Sequence, residues 1–159
     1  VDRLAARLAI AHELGVEETV DVSTDDVGVR IKDWTRGDGP VVAFEATGAP
    51  AVFRTALEIV AHSGTVVVAG TPVQEVSISP FLIVYKELNV LGSRNNSGVF
   101  GQAIEIVRKN RPLVRRLITH TFPLERLQEA IEFAIANPQV AEKVMISVSD
   151  EARRSADPS

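Results

Sequence analysis

Two apolar runs end in small, glycine-bearing segments. Val41-Val42-Ala43-Phe44 leads into Glu45-Ala46-Thr47-Gly48, and Thr65-Val66-Val67-Val68 leads into Ala69-Gly70. Such runs read as buried strands of a parallel sheet, and parallel sheets hold ligands beyond the carboxyl ends of their strands. Gly48 and Gly70 stand at those ends, where a backbone without Cβ lets a flat cofactor approach closely. The chemistry suggested is the holding of a planar group, not proton transfer. Glu45 is a single carboxylate with no histidine near it in sequence, so it reads as structural and not as a general base. Thr55, Ser63 and Ser97 have no base at a recognisable position, which leaves a hydrolase triad without support. His12 and His62 read as surface residues, and His120 as structural, because no Cys, Asp or Glu stands at ligand spacing. No residue is assigned a catalytic role and none a metal.

The elements that would position these residues follow from periodicity and punctuation. Leu4, Leu8, Ala11 and Leu14 recur at helical spacing, with Gly15 as the residue after the helix. Thr19–Val22 is a short strand, and Ser23-Thr24-Asp25-Asp26 offers cap chemistry for a helix through Trp34. Val41–Phe44 is a strand, Pro50–Ala61 a helix with proline near its start, and Thr65–Ala69 the next strand. Thr71–Pro80 is loop-like, Phe81–Tyr85 a short apolar turn or helix, and Leu88–Leu91 a further strand. Gly92–Gly98 is a loop, helices follow at Val99–Lys109 and Leu124–Ala136, and Lys143–Val148 closes the chain as a strand. Residues 149–159 are polar and small, the composition of a disordered tail.

Composition narrows the function. At 159 residues and 45% hydrophobic content the chain can bury a core. Its 17 basic and 21 acidic residues, net -4, argue against a nucleic-acid or anionic-membrane surface. The cluster Arg108-Lys109-Asn110-Arg111, with Arg115-Arg116, suits the end of a helix. Cysteine is absent, which excludes a disulfide, a thiol nucleophile and a thiolate metal site and is compatible with the cytoplasm. No apolar run approaches the ~20 residues of a membrane span.

Taken in order, several segments resemble the medium-chain zinc-type alcohol and polyol dehydrogenases. They are Asp2…Arg7-Leu8-Ala9-Ile10-Ala11…Glu13-Leu14-Gly15, Phe44-Glu45-Ala46-Thr47-Gly48 and Gly64-Thr65-Val66-Val67-Val68-Ala69-Gly70. Further on, Lys86-Glu87-Leu88…Gly92-Ser93-Arg94, Leu117-Ile118-Thr119-His120…Pro123-Leu124-Glu125 and Lys143-Val144-Met145-Ile146 are similar as well. The likeness covers residues 1–148. It implies the C-terminal half of such an enzyme: a partial doubly wound, Rossmann-like parallel α/β sheet lacking its first strands, with a C-terminal return into the substrate domain. Residues 1–94 would be the partial dinucleotide-binding domain and 95–148 the end of the GroES-like substrate domain. The G-x-G-x-x-G fingerprint is missing, since Gly28, Gly37 and Gly39 do not have its spacing.

The same resemblance assigns cofactor contacts. Asp2 falls at the end of the second strand, where an acidic residue accepts hydrogen bonds from the adenosine ribose and favours NAD. Arg3 beside it keeps NADP possible, because a guanidinium can receive a 2′-phosphate. Arg7 falls where the family has a basic residue near that ribose. Ala46 and Thr47 would lie beside the other ribose; Ala69, Gly70 and Thr71 would meet the nicotinamide carboxamide. Ser93, Arg94 and Asn95 form a second such position, and Lys143 would reach the pyrophosphate.

The expected function is therefore the cofactor-binding half of an oxidoreductase that moves a hydride between NAD(H) and a small-molecule alcohol or polyol. Zinc is expected only in the full-length parent, and the piece alone is expected to be inactive. The alternative is a non-catalytic dimerisation or binding remnant of such an enzyme. A zinc-free reductase would need an acid such as Tyr85 poised by a lysine, but Tyr85 and Lys86 are chain neighbours and neighbours point apart. A homodimer or homotetramer is expected, with Leu88–Leu91 as an edge suited to pairing, no nucleic-acid or membrane partner, and a cytoplasmic location.

Overall fold

Asp2 and Asp21 meet in a single parallel bridge, Asp2 N donating to the Val20 carbonyl and Val22 N to the Asp2 carbonyl, each at 3.1 Å. The computed structural model, which describes residues 1–71, 73–95 and 98–149, has no longer ladder there. The strand expected at Thr19–Val22 is thus reduced to one bridge. The cause is local: Asp2 Oδ1 accepts Arg3 N (2.7 Å) and Leu4 N (2.9 Å), which turns the chain directly into α1 (Ala5–Glu13) and leaves no extended partner. Helix α1 ends as its glycine requires. Gly15 takes φ +94°, its N–H reaches the His12 carbonyl and Val16 N–H the Ala11 carbonyl, closing the helix with two backward bonds.

Helix α2 (Val27–Trp34) starts at Asp26, whose carboxylate accepts Val29 N at 2.9 Å. The strands β1 (Val42–Glu45), β2 (Thr65–Val68) and β3 (Asn89–Gly92) form one parallel sheet in the order β1-β2-β3, linked by α3 (Pro50–Ile59) and α4 (Pro80–Lys86). Phe44, Val67 and Leu91 share one row of the register and Glu45, Val68 and Gly92 the next. Alternation along β1 turns Ala43 towards the core of Ala56, Leu57, Val60, Val66 and Leu88, while Phe44 on the other face is 72% exposed.

A cation finishes α3. Lys86, at the end of α4, is buried, and its Nζ donates to the carbonyls of Leu57 (3.2 Å), Glu58 (2.9 Å) and Val60. The last carbonyls of a helix have no partner within it and carry its negative dipole end. An ammonium there satisfies both needs. Burial pushes the Lys86 pKa down, with the charge of Glu58 acting the other way.

After β3 come α5 (Phe100–Lys109), α6 (Arg111–Arg116), β4 (Ile118–Pro123), a 3-10 turn at Leu124–Arg126, α7 (Leu127–Ala136) and β5 (Lys143–Ser147). Strands β4 and β5 pair in parallel. Both α6 and β4 are additions to the sequence reading. Pro112 at the start of α6 explains why the basic cluster is two helices and not one helix end. Two compact units result: Thr24–Val99, and Val1–Ser23 with the residues from Phe100 onward. The first 23 residues, expected within a 1–94 domain, group with the later segment, to which Arg7 is ion-paired through Glu142. The expectation for 149–159 falls, after Ser149, outside the described residues.

Candidate functional site

Because β1, β2 and β3 run parallel and side by side, their carboxyl ends lie along one edge of the sheet. The segments that follow are Ala46-Thr47-Gly48, Ala69-Gly70-Thr71 and Ser93-Arg94-Asn95. They are tied to one another by backbone bonds. Ala69 N and Gly70 N both donate to the Glu45 carbonyl at 2.8 Å, and Ser93 N donates to the Val68 carbonyl at 2.9 Å. Ala46, Thr47, Ala69, Thr71, Ser93, Arg94 and Asn95 are exposed, so this edge presents mostly small or polar residues to solvent, with Arg94 the one long side chain among them.

The floor of the edge is a buried carboxylate. Glu45 is 1% exposed, and its Oε1 accepts Thr47 N (2.7 Å), Thr47 Oγ1 (2.6 Å) and Gly48 N (2.9 Å). Burial alone would raise its pKa, but the bonds from the Thr47 hydroxyl and from the Thr47 and Gly48 amides outweigh that and hold it below the ordinary glutamate value. Gly48 adopts φ +72°, and Gly70 lies against it: a Cβ on Gly70 would stand 2.2 Å from Gly48 N and 2.6 Å from Glu45 Oε2. At Gly92 a Cβ would meet nothing within 4 Å. The edge is therefore closed between its first two loops and open beside the third, a shape that fits a flat group laid against backbone.

The remaining candidates form a second group in the other unit. Asp2, whose Oδ1 holds the start of α1, has Oδ2 3.8 Å from the Arg7 guanidinium. Arg7 Nε donates to Glu142 Oε1 at 2.8 Å and Nη2 to the Pro138 carbonyl at 3.3 Å. The bond to Glu142 holds the Arg7 pKa above its ordinary range. Lys143 follows Glu142 as the exposed first residue of β5. Glu142 escaped the sequence reading because nothing local links residues 135 apart. The use of Glu45 had a signal: an acceptor two residues before Thr-Gly fits a side-chain-bonded turn.

Other candidates separate. His120 packs its ring against Phe133 at 4.4 Å between centroids, with Nδ1 buried and unbonded among the described residues. Zinc needs three or more donors in one place, and no such group of His, Asp and Glu occurs among the described residues. The residues present do not fit that metal. Tyr85 is 61% exposed and stacks on Phe81, whereas the Lys86 ammonium is committed to α3, so these neighbours do diverge.

A family profile described as zinc-binding dehydrogenase matches residues 1–109. The chain is 32% identical over 139 residues to an uncharacterized zinc-type alcohol dehydrogenase-like protein of Haemophilus influenzae, covering 87% of this chain and 41% of that protein. It is 29% identical over 137 residues to the sorbitol dehydrogenase of Rattus norvegicus, covering 84% and 38%. An alcohol dehydrogenase of Escherichia coli CFT073, solved in complex with NADH, superposes with TM-score 0.82 at 25% identity over 92% of this chain and 43% of that one. The chain spans about two fifths of the length of the curated relatives it matches.

Proposed function

The chain belongs to the zinc-binding dehydrogenase family, a family of oxidoreductases, and we propose that its strand-end edge holds the nicotinamide half of NAD(H) for hydride exchange with an alcohol or polyol. One observation carries this reading: Glu45, Gly48 and Gly70 lock two loops of a parallel sheet into an exposed backbone edge. The relative solved with NADH supports the nucleotide, and the sorbitol dehydrogenase supports the substrate class. When bound, the nicotinamide ring supplies the hydride acceptor. The chain's own part is to orient and shield it. The backbone of Ala69–Thr71 and of Ser93–Asn95 would meet the carboxamide, and Ala46 and Thr47 the adjoining ribose. For the second group we propose that Asp2 accepts from the adenosine ribose hydroxyls, with Arg7 beside it, and that Lys143 serves the pyrophosphate. Asp2 favours NAD over its 2′-phosphorylated form through like-charge repulsion.

In the same proposal the chain is the C-terminal half of a longer dehydrogenase. Zinc is held by residues outside those described, and the chain alone turns nothing over. Fluorescence titration tests the site: NADH is expected to bind saturably and more tightly than NADPH, and Asp2→Ala to erase that preference. Absence of saturable binding overturns the reading. Self-association through β3 is the accompanying proposal, since all four of its residues are exposed and, among the described residues, no strand pairs with its outer side. Asn89 N and Ser93 N point to β2, so alternation turns Val90 N outward. Val90→Pro removes that donor without touching the inner ladder. It is expected to convert a dimer to a monomer in light scattering; a dimer that survives places the interface elsewhere.

A further inference from the structure

Glu45 serves two loops at once. Its main-chain carbonyl accepts the amides of Ala69 and Gly70, and its carboxylate accepts the amides of Thr47 and Gly48 and the Thr47 hydroxyl. The other carboxylate oxygen fills the space behind Gly70, where a Cβ would come within 2.6 Å of it. An ionised carboxylate accepts and never donates, so it suits a site ringed by N–H and O–H groups. No cation bonds to it among the described side chains; its charge is held by hydrogen bonds alone. A buried charge is a costly way to tie a turn that a neutral acceptor could close, and departures of this sort concentrate at functional sites.

We propose that Glu45 is a positioning residue that fixes the β1 loop against the β2 loop and thereby sets the affinity for a nicotinamide nucleotide, a role that rests on the reading of this edge as a nucleotide site. It acts through Thr47, Gly48 and Gly70 and touches no reacting atom. Glutamine preserves the length and one acceptor oxygen. Aspartate is one methylene short of Thr47 and Gly48. Alanine removes the carboxylate that bonds Thr47 and Gly48 and fills the space behind Gly70, but keeps the main-chain carbonyl that accepts Ala69 N and Gly70 N.

Amide hydrogen exchange and NADH titration on the full 159-residue chain test this together. Glu45→Ala is expected to speed exchange at least tenfold in 46–49, where the carboxylate's bonds are lost, and in 69–71 through the space emptied behind Gly70. It is expected to leave α7 and β5 unchanged and to weaken NADH binding at least tenfold. Glu45→Gln is expected to restore both readouts to within about threefold of the wild type, a rescue that general loss of packing would not give. If the alanine variant does not fold, Glu45→Asp carries the same expectations. Faster exchange confined to 46–49, or unchanged NADH affinity in a folded variant, overturns the proposal while the nucleotide site stands. A wild-type chain that binds no NADH overturns the site reading and this role with it.

Discussion

Replacing Lys86 by methionine removes a buried cation and leaves the end of α3 without its donor. The bonds from Nζ to the Leu57 and Val60 carbonyls are buried, and the one to Glu58 is partly so. Methionine keeps the apolar stem but donates nothing. Two buried carbonyls then lose their partner, at about 1–3 kcal/mol each. Release of the desolvated ammonium returns part of this; the lowered Lys86 pKa shows that burial does weigh on the charge. The net loss expected is about 1–3 kcal/mol. With a urea dependence of about 1–3 kcal/mol per molar for a domain of this size, the midpoint should fall by roughly 1 M. Trp34 is the single tryptophan and lies in the same unit as Lys86, so its fluorescence reports the transition. Lys109→Met, at the exposed end of α5, is the control and should change stability by no more than ~0.5 kcal/mol. A Lys86→Met midpoint equal to the wild type, or higher, would refute the view that this lysine caps α3.

Gly70→Ala places a methyl 2.2 Å from Gly48 N and should cost about 1–3 kcal/mol in denaturant, whereas Gly92→Ala, with open space around it, should be near neutral; equal costs would contradict the described closeness of the first two loops. Glu45 gives a pH dependence with a definite sign. Its folded pKa lies below the ordinary value of about 4.5, so the unfolded chain takes up the proton first as acid is added. Its stabilisation is complete above that value and is lost as pH falls through the folded pKa. The stability gap between the wild type and Glu45→Gln should therefore narrow from neutrality into acid; a gap independent of pH would show that the carboxylate charge contributes nothing.

The sheet was legible because its signals are local. Three consecutive valines followed by Ala69-Gly70 and a proline at the head of α3 each announce their element without help from distant residues. Asp26 likewise marked the start of α2. Strand β4 carried an apolar and aromatic pattern in sequence at Ile118, His120 and Phe122 with threonines between, but a register shift between Ile118 and His120 interrupts it in the ladder, and the basic cluster before it masked both that strand and α6. Thr19–Val22 had the composition of a strand but not the neighbour, and pairing decides strands more than propensity does. The Arg7–Glu142 pair and the Lys86 cap lie beyond local reading, since each joins residues more than 25 positions apart whose types are common on any surface.

The central claim is that the carboxyl ends of β1, β2 and β3 form a nicotinamide nucleotide site. Amide chemical-shift mapping of the isotope-labelled chain during titration with NADH tests it most directly. Saturable shifts are expected at Thr47, Gly48, Ala69, Gly70 and Ser93, with a single affinity. Shifts confined to the basic helices around Arg108–Arg116, with those five amides unmoved at saturation, would contradict it.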